Sequence, residues 1–585
     1  MPDTLPLSAE PRSLQMPANP GNASSRALSL ATSTPRSGWA TPGSVASPVS
    51  PGTRMATTSP GTVLTGFVAH ENWADAQDSI YIVLGHGPYQ RRVLLCSVLS
   101  VIVALLQALS DRLTSRPVDH WCRPPDALGE LSADAWKNMS IPLEDDGSFS
   151  KCSMYDPPIA DVPAHNRSTV PCQGWDYDIP NRGDSIVSRF GLVCDRRYLL
   201  SLRIGVFVTV SGLMSPLLGL VSDRMGRRPV TLASVIVLLA STIGNSVAGT
   251  FTFYLCTRTV VFTTVQAVFV LTFILLYEVT GNEWRLLFSL LDTAVGATVV
   301  PPFADALTQL EPRWALVHGL AIVLTTILAI WCCLLQESPT WLLVTRDVKR
   351  AREAALEAAS MNGLDTVKAG ATFQEILVQM AKLYRSPHTS TGLAATDGPV
   401  QSVKMRRRAA SVFLARLTLS AIYFPLMAMG HSIGYYWAAA NALLLAASYV
   451  AVGWAVVKRG LRDTLTVLLV VVCAFSAVQT LLMTVGGFQL VESVVHVGLK
   501  VGLSGAMSVV LCYSAEVFPT RIRCAGVSAS LFFGSAGALL GVFLFTMNGQ
   551  RADILFHATA AILTALSMFA VQWLPEVLVE TRKGE

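Results

Sequence analysis

Charge is scarce in this chain of 585 residues: 14% are Asp, Glu, Lys or Arg, whereas 51% are hydrophobic. Ordinary soluble domains carry about 25% charged residues. With so few, the chain has too little polar surface to cover a soluble body of this length, and the mean hydropathy of +0.47 agrees. Signatures of common chemistry are missing too. No G-x-x-x-x-G-K-[ST] loop cradles nucleotide phosphates, and no H-E-x-x-H, C-x-x-C or G-x-S-x-G pattern supplies metal ligands, a redox dithiol or a nucleophile. The reading is of a chain that is not an enzyme and needs no cofactor or metal. The first thirty residues lack an apolar stretch behind a charged one, so no secretory signal is expected. Basic residues lie in short loops between apolar runs, not on one face interleaved with aromatics. The net charge of +5 therefore does not imply nucleic acid as a partner.

What is present is a succession of apolar runs near 93–109, 199–220, 230–248, 254–277, 286–306, 314–335, 412–429, 433–456, 465–484, 490–514, 525–545 and 554–573. Each has roughly the ~20 residues needed to cross hydrocarbon. Twelve such runs predict an all-α membrane protein whose partner is the lipid bilayer. An even number places both termini on one side. Arg406 to Arg408, Lys458, Arg459, Arg521 and Arg523 mark that side as cytoplasmic. Residues 1–79 are a Pro/Ser/Thr/Ala/Gly-rich cytoplasmic tail and lead-in, expected to be disordered. Residues 80–335 form a first six-helix half, 336–409 a cytoplasmic linker, 410–574 a second half and 575–585 a cytoplasmic tail. Within the linker, 346–357 reads as a charged surface helix and the remainder as polar connection.

The chain is organised around the decapeptide G-L-V-S-D-R-M-G-R-R at 219–228, set between two long apolar runs. Gly219 permits close helix approach and Gly226 a tight reversal, while Arg224, Arg227 and Arg228 hold the cytoplasmic side. Asp223 is costly there unless a cation or a helix N-terminus faces it, and it reads as half of a breakable latch. The decapeptide recurs 234 residues later as G-W-A-V-V-K-R-G-L-R at 453–462, with Val457 at the aspartate position. Glu278 and Arg285 are echoed by Glu516 and by Arg521 or Arg523, and Glu337 by Glu576. Such offsets argue for duplication. They predict a cytoplasmic ring of carboxylates and arginines in which the half holding Asp223 carries more of the gate.

Residues 110–198 form a long polar loop with Cys122, Cys152, Cys172 and Cys194 and the sequons at Asn138 and Asn166. Cysteines beside glycan acceptors favour an oxidising, extracellular face and up to two disulfides, with three possible pairings.

The spacing G-x-x-x-D-R-x-G-R-R resembles the loop between helices 2 and 3 of the major facilitator superfamily. The loop segments D-H-W-C-R-P-P, W-K-N-M-S-I-P, P-C-Q-G-W-D-Y-D and F-G-L-V-C-D resemble those of the organic cation, anion and carnitine transporters, solute carrier family 22. A-E-V-F-P-T-R-I-R near 515–523 is similar to the helix 10 signature of that family. The resemblance covers about residues 80–580 and implies a major facilitator fold of two six-helix halves, with transport of small organic ions. Two departures mark an atypical or orphan member. The loop in the family usually has six cysteines where this one has four, and the eleventh span carries neither the acidic residue frequent in cation carriers nor the basic one frequent in anion carriers.

Cargo contacts are sought in the tenth span, where Glu492, His496, Lys500, Ser504 and Ser508 recur at steps of four on one helical face. Lys500 lies near mid-membrane and reads either as an anchor for an anionic group or as the partner of Glu492, through His496, or of Asp292. Tyr423, Tyr435 and Tyr436 either line an organic-ion site or form an interfacial belt. Arg203 and Arg258 are expected to snorkel at outer helix ends. Small residues at steps of four in the eleventh span predict close helix packing. The conclusion is a secondary transporter of small organic ions working by alternating access, anions favoured, in the plasma membrane. The alternative is a non-transporting receptor or scaffold that binds a protein ligand through its glycosylated loop.

Overall fold

The computed structural model describes residues 80–577 apart from 117, 127–130, 145–146, 159–166, 179–184, 310–313, 386–402, 429–434, 487–488 and 547–548. Its long helices are α1 (Pro88–Thr114), α2 (Tyr198–Met225), α3 (Arg227–Ser246), α4 (Phe251–Val279), α5 (Asn282–Gln309) and α6 (Trp314–Cys333), then α7 (Val403–Ala428), α8 (Tyr435–Arg459), α9 (Leu461–Val485), α10 (Gln489–Val517), α11 (Arg523–Thr546) and α12 (Gly549–Val571). Among the described residues, eleven of these meet the length and hydropathy needed to cross a membrane. The twelfth, α5, is 28 residues long. Local sequence sets several ends. Pro88 opens α1 behind Gly87, whose N–H donates to the Gln90 side chain. The α2–α3 and α8–α9 reversals fall on Gly226 and Gly460, at φ 110° and 85°.

The first six helices pack against the last six along α2 with α11 and along α5 with α8. Small residues make the close approaches. A methyl group added at Gly219 would strike the Cys524 carbonyl, and one at Gly212 would lie 2.8 Å from Ser535 Cβ. Within the second half, Gly537 and Gly541 of α11 lie against the Leu417 and Ala421 carbonyls of α7, the packing expected from their spacing.

The loop between α1 and α2 adds β-structure to an otherwise helical chain. β1 (His120–Cys122) pairs antiparallel with β4 (Trp175–Tyr177), and β2 (Ser153–Asp156) with β3 (Ser168–Pro171). The open pairing question resolves as Cys122–Cys172 and Cys152–Cys194. Trp136 is buried beneath β1 and donates from Nε1 to the Cys122 carbonyl at 2.7 Å. Asn138 is exposed on the helix Ala133–Ser140, while Asn166 lies outside the described residues.

The linker departs from expectation. The charged helix is present as Val348–Met361, but the segment read as polar connection holds a further helix, Thr366–Arg385. Ala369, Phe373 and Ile376 give that helix one apolar face, which packs on the helix Val348–Met361 and joins Ala355, Ala359, Ile80 and Leu84 in one buried cluster. Asn362 ties the linker to the start of α1 by donating to the Leu84 carbonyl at 2.7 Å and accepting from Tyr89 N–H at 2.9 Å.

Candidate functional site

A charged cluster lies where the α2–α3 turn meets α11. Gly226 adopts φ 110°, ψ 159°, a conformation that side chains strongly disfavour, and turns the chain so that the first N–H groups of α3 point at Glu337. Glu337 accepts from Arg227 N–H at 2.9 Å, Arg228 N–H at 3.1 Å and Ser338 N–H at 3.0 Å. Its carboxylate thus caps the orphan donors and positive end of α3. Burial still holds the Glu337 carboxyl above its ordinary value, against the pull of these donors and of Arg227.

One turn before the reversal, Asp223 faces both things a buried carboxylate there needs. Its oxygens accept from Cys524 N–H at 3.2 Å and Ala525 N–H at 2.8 Å, in the first turn of α11, and Arg227 lies 3.2 Å away. Arg227, fully buried, also pairs with Glu278 at 3.0 Å and donates to the Thr520 carbonyl at 2.6 Å. Arg523 reaches the same Glu278 oxygen at 3.3 Å from the other half. Pairing is incomplete, since among the described residues Nε and Nη1 of Arg227 and Oε2 of Glu278 are buried without a hydrogen-bond partner.

The repeat places only part of this arrangement in the second half. Glu576 accepts from Arg462 N–H at 3.3 Å and pairs with its Nε at 3.0 Å, so it echoes Glu337 across Gly460. Where the first half has Asp223 and Arg227, the second has Val457 and Leu461. Glu516 accepts from the Tyr277 hydroxyl, and the Arg285 guanidinium lies over the rings of Tyr81 and Tyr277. Arg224, Arg228 and Arg521 are exposed around the cluster.

Glu492, His496 and Lys500 are half-buried on α10, and Tyr423 is half-buried on α7. The side chains of Tyr435 and Tyr436 lie outside the described set. Asp292, one partner considered for Lys500, is instead fully buried and accepts from Ser97 Oγ at 3.0 Å. Snorkelling of Arg203 and Arg258 is overturned, because both are buried, at 3% and 2% exposure. Arg203 pairs with Asp111, while Arg258 donates to Gln107 Oε1 at 3.0 Å and Ser110 Oγ at 2.8 Å. Two residues went unread. Asp111, the hub of that outer cluster, lies just past the apolar run ending at 109, and Arg416 is a lone cation inside the run 412–429.

Among the described residues, twelve long helices in two groups of six, joined by a turn cluster that spans both groups, define a transporter of the major facilitator class. Solved structures agree on the fold. The proton:xylose symporter XylE superposes with a TM-score of 0.54 at 13% identity, covering 87% of this chain and 98% of that one. The human organic anion transporter MFSD10 gives 0.50 at 15% identity, covering 83% and 100%. Residues 197–583 match the family described as Sugar (and other) transporter, and the chain belongs to that family. Its relatives include the beta-alanine transporter of Drosophila melanogaster, 24% identical over 84% of this chain and 85% of that protein. Organic anion transporter 3 of Sus scrofa is 26% identical over 84% and 89%. Solute carrier family 22 member 7 of Rattus norvegicus is 24% identical over 81% and 90%, in keeping with the resemblance read from the loop motifs. The chain is a multi-pass membrane transporter and not an enzyme.

Proposed function

We propose that the chain moves small organic ions, anions in preference, across the plasma membrane by alternating access, with both termini and the Asp223 cluster on the cytoplasmic side. The observation that carries this reading is the pairing of Asp223 and Arg227 with the start of α11, since it joins the two halves through groups able to separate. Incomplete pairing of Arg227 and Glu278 suits a latch that opens and recloses, because a buried ion pair of this kind gains little net stability. Glu278, Arg285, Glu337, Glu516, Arg521 and Arg523 complete the gate around it, with Gly219 and Gly226 setting its closeness. Lys500, with His496 and Glu492, supplies polar groups along α10, and Tyr423, Tyr435 and Tyr436 are the aromatic candidates for contact with the cargo. The names of the relatives, carriers of beta-alanine and of organic anions, support small charged cargo.

The test is uptake of a panel of organic anions, cations and zwitterions into proteoliposomes, with Asp223→Asn and Lys500→Ala beside the natural protein. Saturable uptake lost in both variants, with folding retained, is the expected result. Absence of uptake for every class from folded protein in both orientations would sink the transport of such ions and return weight to a receptor acting through its glycosylated loop.

A further inference from the structure

Arg416 occupies the fourteenth position of the 26-residue helix α7. At 1.5 Å per residue it is about 18 Å from either helix end, beyond what an arginine spans by snorkelling. Its side chain turns inward between three helices. Nη1 donates to the Met507 carbonyl of α10 at 3.3 Å, and a methyl group at Gly534 of α11 would lie 3.3 Å from Arg416 Cγ and Nε. Among the described residues, that carbonyl is its one hydrogen-bond partner, and Nε is buried without any. Among the described residues, no carboxylate lies within ion-pair distance. The residue is nevertheless only half-buried, and of its nitrogens only Nε is both buried and without a partner.

A guanidinium at mid-membrane is costly when unpaired, and structural need does not account for this one. One long contact to a carbonyl that already sits within α10 gives little in return for the N–H groups taken from water. The planar fork instead matches a carboxylate or sulfonate, which accepts two parallel N–H bonds and cancels the charge. Ser420 and Tyr423 follow Arg416 by one and two turns, which extends a polar and aromatic strip along the same face of α7. Met507 and Lys500 are two turns apart on α10, so a second cation lies about 10 Å along the facing helix.

We propose that Arg416 binds the carboxylate or sulfonate group of the transported ion, with Gly534 leaving the space in which its side chain lies. This rests on the reading of the chain as a transporter of organic ions and names the residue that selects anions.

The experiment uses the full chain, purified, and a panel of aliphatic and aromatic carboxylates and sulfonates, each beside its neutral amide. Thermal unfolding midpoints and proteoliposome uptake are both recorded. The natural protein should be stabilised by at least one acid and not by its amide. Arg416→Gln should lose that response, with the half-saturating concentration raised about tenfold or more, while Arg416→Lys retains part of it. Without ligand, Arg416→Gln should unfold at the same or a higher temperature, because an uncompensated cation has been removed; a structural arginine would give the reverse. Gly534→Leu, which displaces the side chain and keeps its charge, should weaken the same acids. Wild-type half-saturation in Arg416→Gln, equal response to acids and amides, or no response to any acid would each overturn the proposal. Uptake separates it from the wider reading: Arg416-dependent binding without uptake would leave the site and remove transport, whereas uptake indifferent to Arg416→Gln would do the opposite.

Discussion

The Asp223 carboxylate at the end of α2 accepts a hydrogen bond from the Ala525 N–H in the first turn of α11, at 2.8 Å and across 302 residues of sequence. A second bond from Cys524 N–H makes Asp223 an N-cap supplied by the other half of the molecule. Ordinary caps belong to the chain just before a helix and hold only that helix. Here the positive end of α11 is satisfied only while the halves are together, so separating them exposes two N–H groups and a carboxylate at once.

Asp223→Asn keeps an acceptor oxygen and loses the charge. We expect the closed arrangement to lose about 1–2 kcal/mol, the usual worth of a cap or of a charge-assisted hydrogen bond. Cys524 gives a native reporter, being a free cysteine that is fully buried beside Asp223. Its maleimide labelling, followed by peptide mass spectrometry, should rise about tenfold, since 1.4 kcal/mol is tenfold in an equilibrium constant. An unchanged rate would mean that Asp223 does not hold the halves together.

Gly219→Ala tests the same closure by volume instead of charge. The added methyl group would overlap the Cys524 carbonyl and crowd Ser528 Oγ, both at the contact of α2 with α11. Neither a carbonyl in a helix nor its backbone yields cheaply, so a cost of about 1–3 kcal/mol is expected, with raised Cys524 labelling. Gly205→Ala on the same helix meets nothing within 4 Å and serves as the control. It should leave labelling unchanged, and better helix propensity should leave the unfolding midpoint equal or slightly higher.

Two carboxyls outside the spans should give opposite pH slopes. Lys151, 2.9 Å away, holds the Asp119 carboxyl below its ordinary value of 3.8. Its contribution is present above that value and is lost as pH falls through the depressed one. Burial raises Glu337 above its ordinary 4.5, so its contribution is present below 4.5 and is lost as pH rises through the elevated value. Unfolding midpoints against pH for Asp119→Asn and Glu337→Gln, each compared with the natural protein, check the signs. The advantage of Asp119 over Asn should shrink on acidification, and that of Glu337 over Gln should shrink on raising pH.

The loop between α1 and α2 is the part that two disulfides hold. Cys122–Cys172 and Cys152–Cys194 span 50 and 42 residues, so each removes a large amount of disorder from the unfolded loop. Replacing one pair by serine should cost the loop about 2–4 kcal/mol. Limited proteolysis should then cut between 120 and 195 while the helices resist. Equal protease resistance in the double variant would show that the hairpins and buried Trp136 suffice alone.

How much of this was legible follows from how far each signal reaches along the chain. Twelve apolar runs, Gly226 and the Glu337–Glu576 echo were visible because hydrocarbon length, a reversal and a duplication are local or periodic. Asp223 stood out because a carboxylate in so apolar a setting demands a partner, although nothing near it named Ala525. The outer arginines misled for the same reason: Arg203 finds Asp111 at a separation of 92 residues, and without that carboxylate a helix-end arginine reads as snorkelling. Arg416 escaped notice since it lies in no loop and no repeat landmark, and its meaning depends on Gly534 and Met507 packing beside it. The Thr366–Arg385 helix was hidden by polar residues around a narrow apolar stripe whose receiving surface belongs to the neighbouring helix Val348–Met361.

Asp292→Asn closes the set because it separates a buried charge from a buried shape. Asp292 lies on α5 with no exposure; one oxygen accepts from Ser97 on α1, and the other is buried without a partner among the described residues. Among the described residues, no cation lies within ion-pair distance, so the carboxyl gives the fold one hydrogen bond at the cost of an unsatisfied oxygen. Asparagine has the same outline and keeps the acceptor for Ser97, and it never has to bury a charge. Its unfolding midpoint should therefore match or exceed that of the natural protein, whereas Ser97→Ala should lower it by removing the only donor, about 1–2 kcal/mol. A clear fall in Asp292→Asn would show that the carboxylate, and not merely its shape, holds α5 against its neighbours.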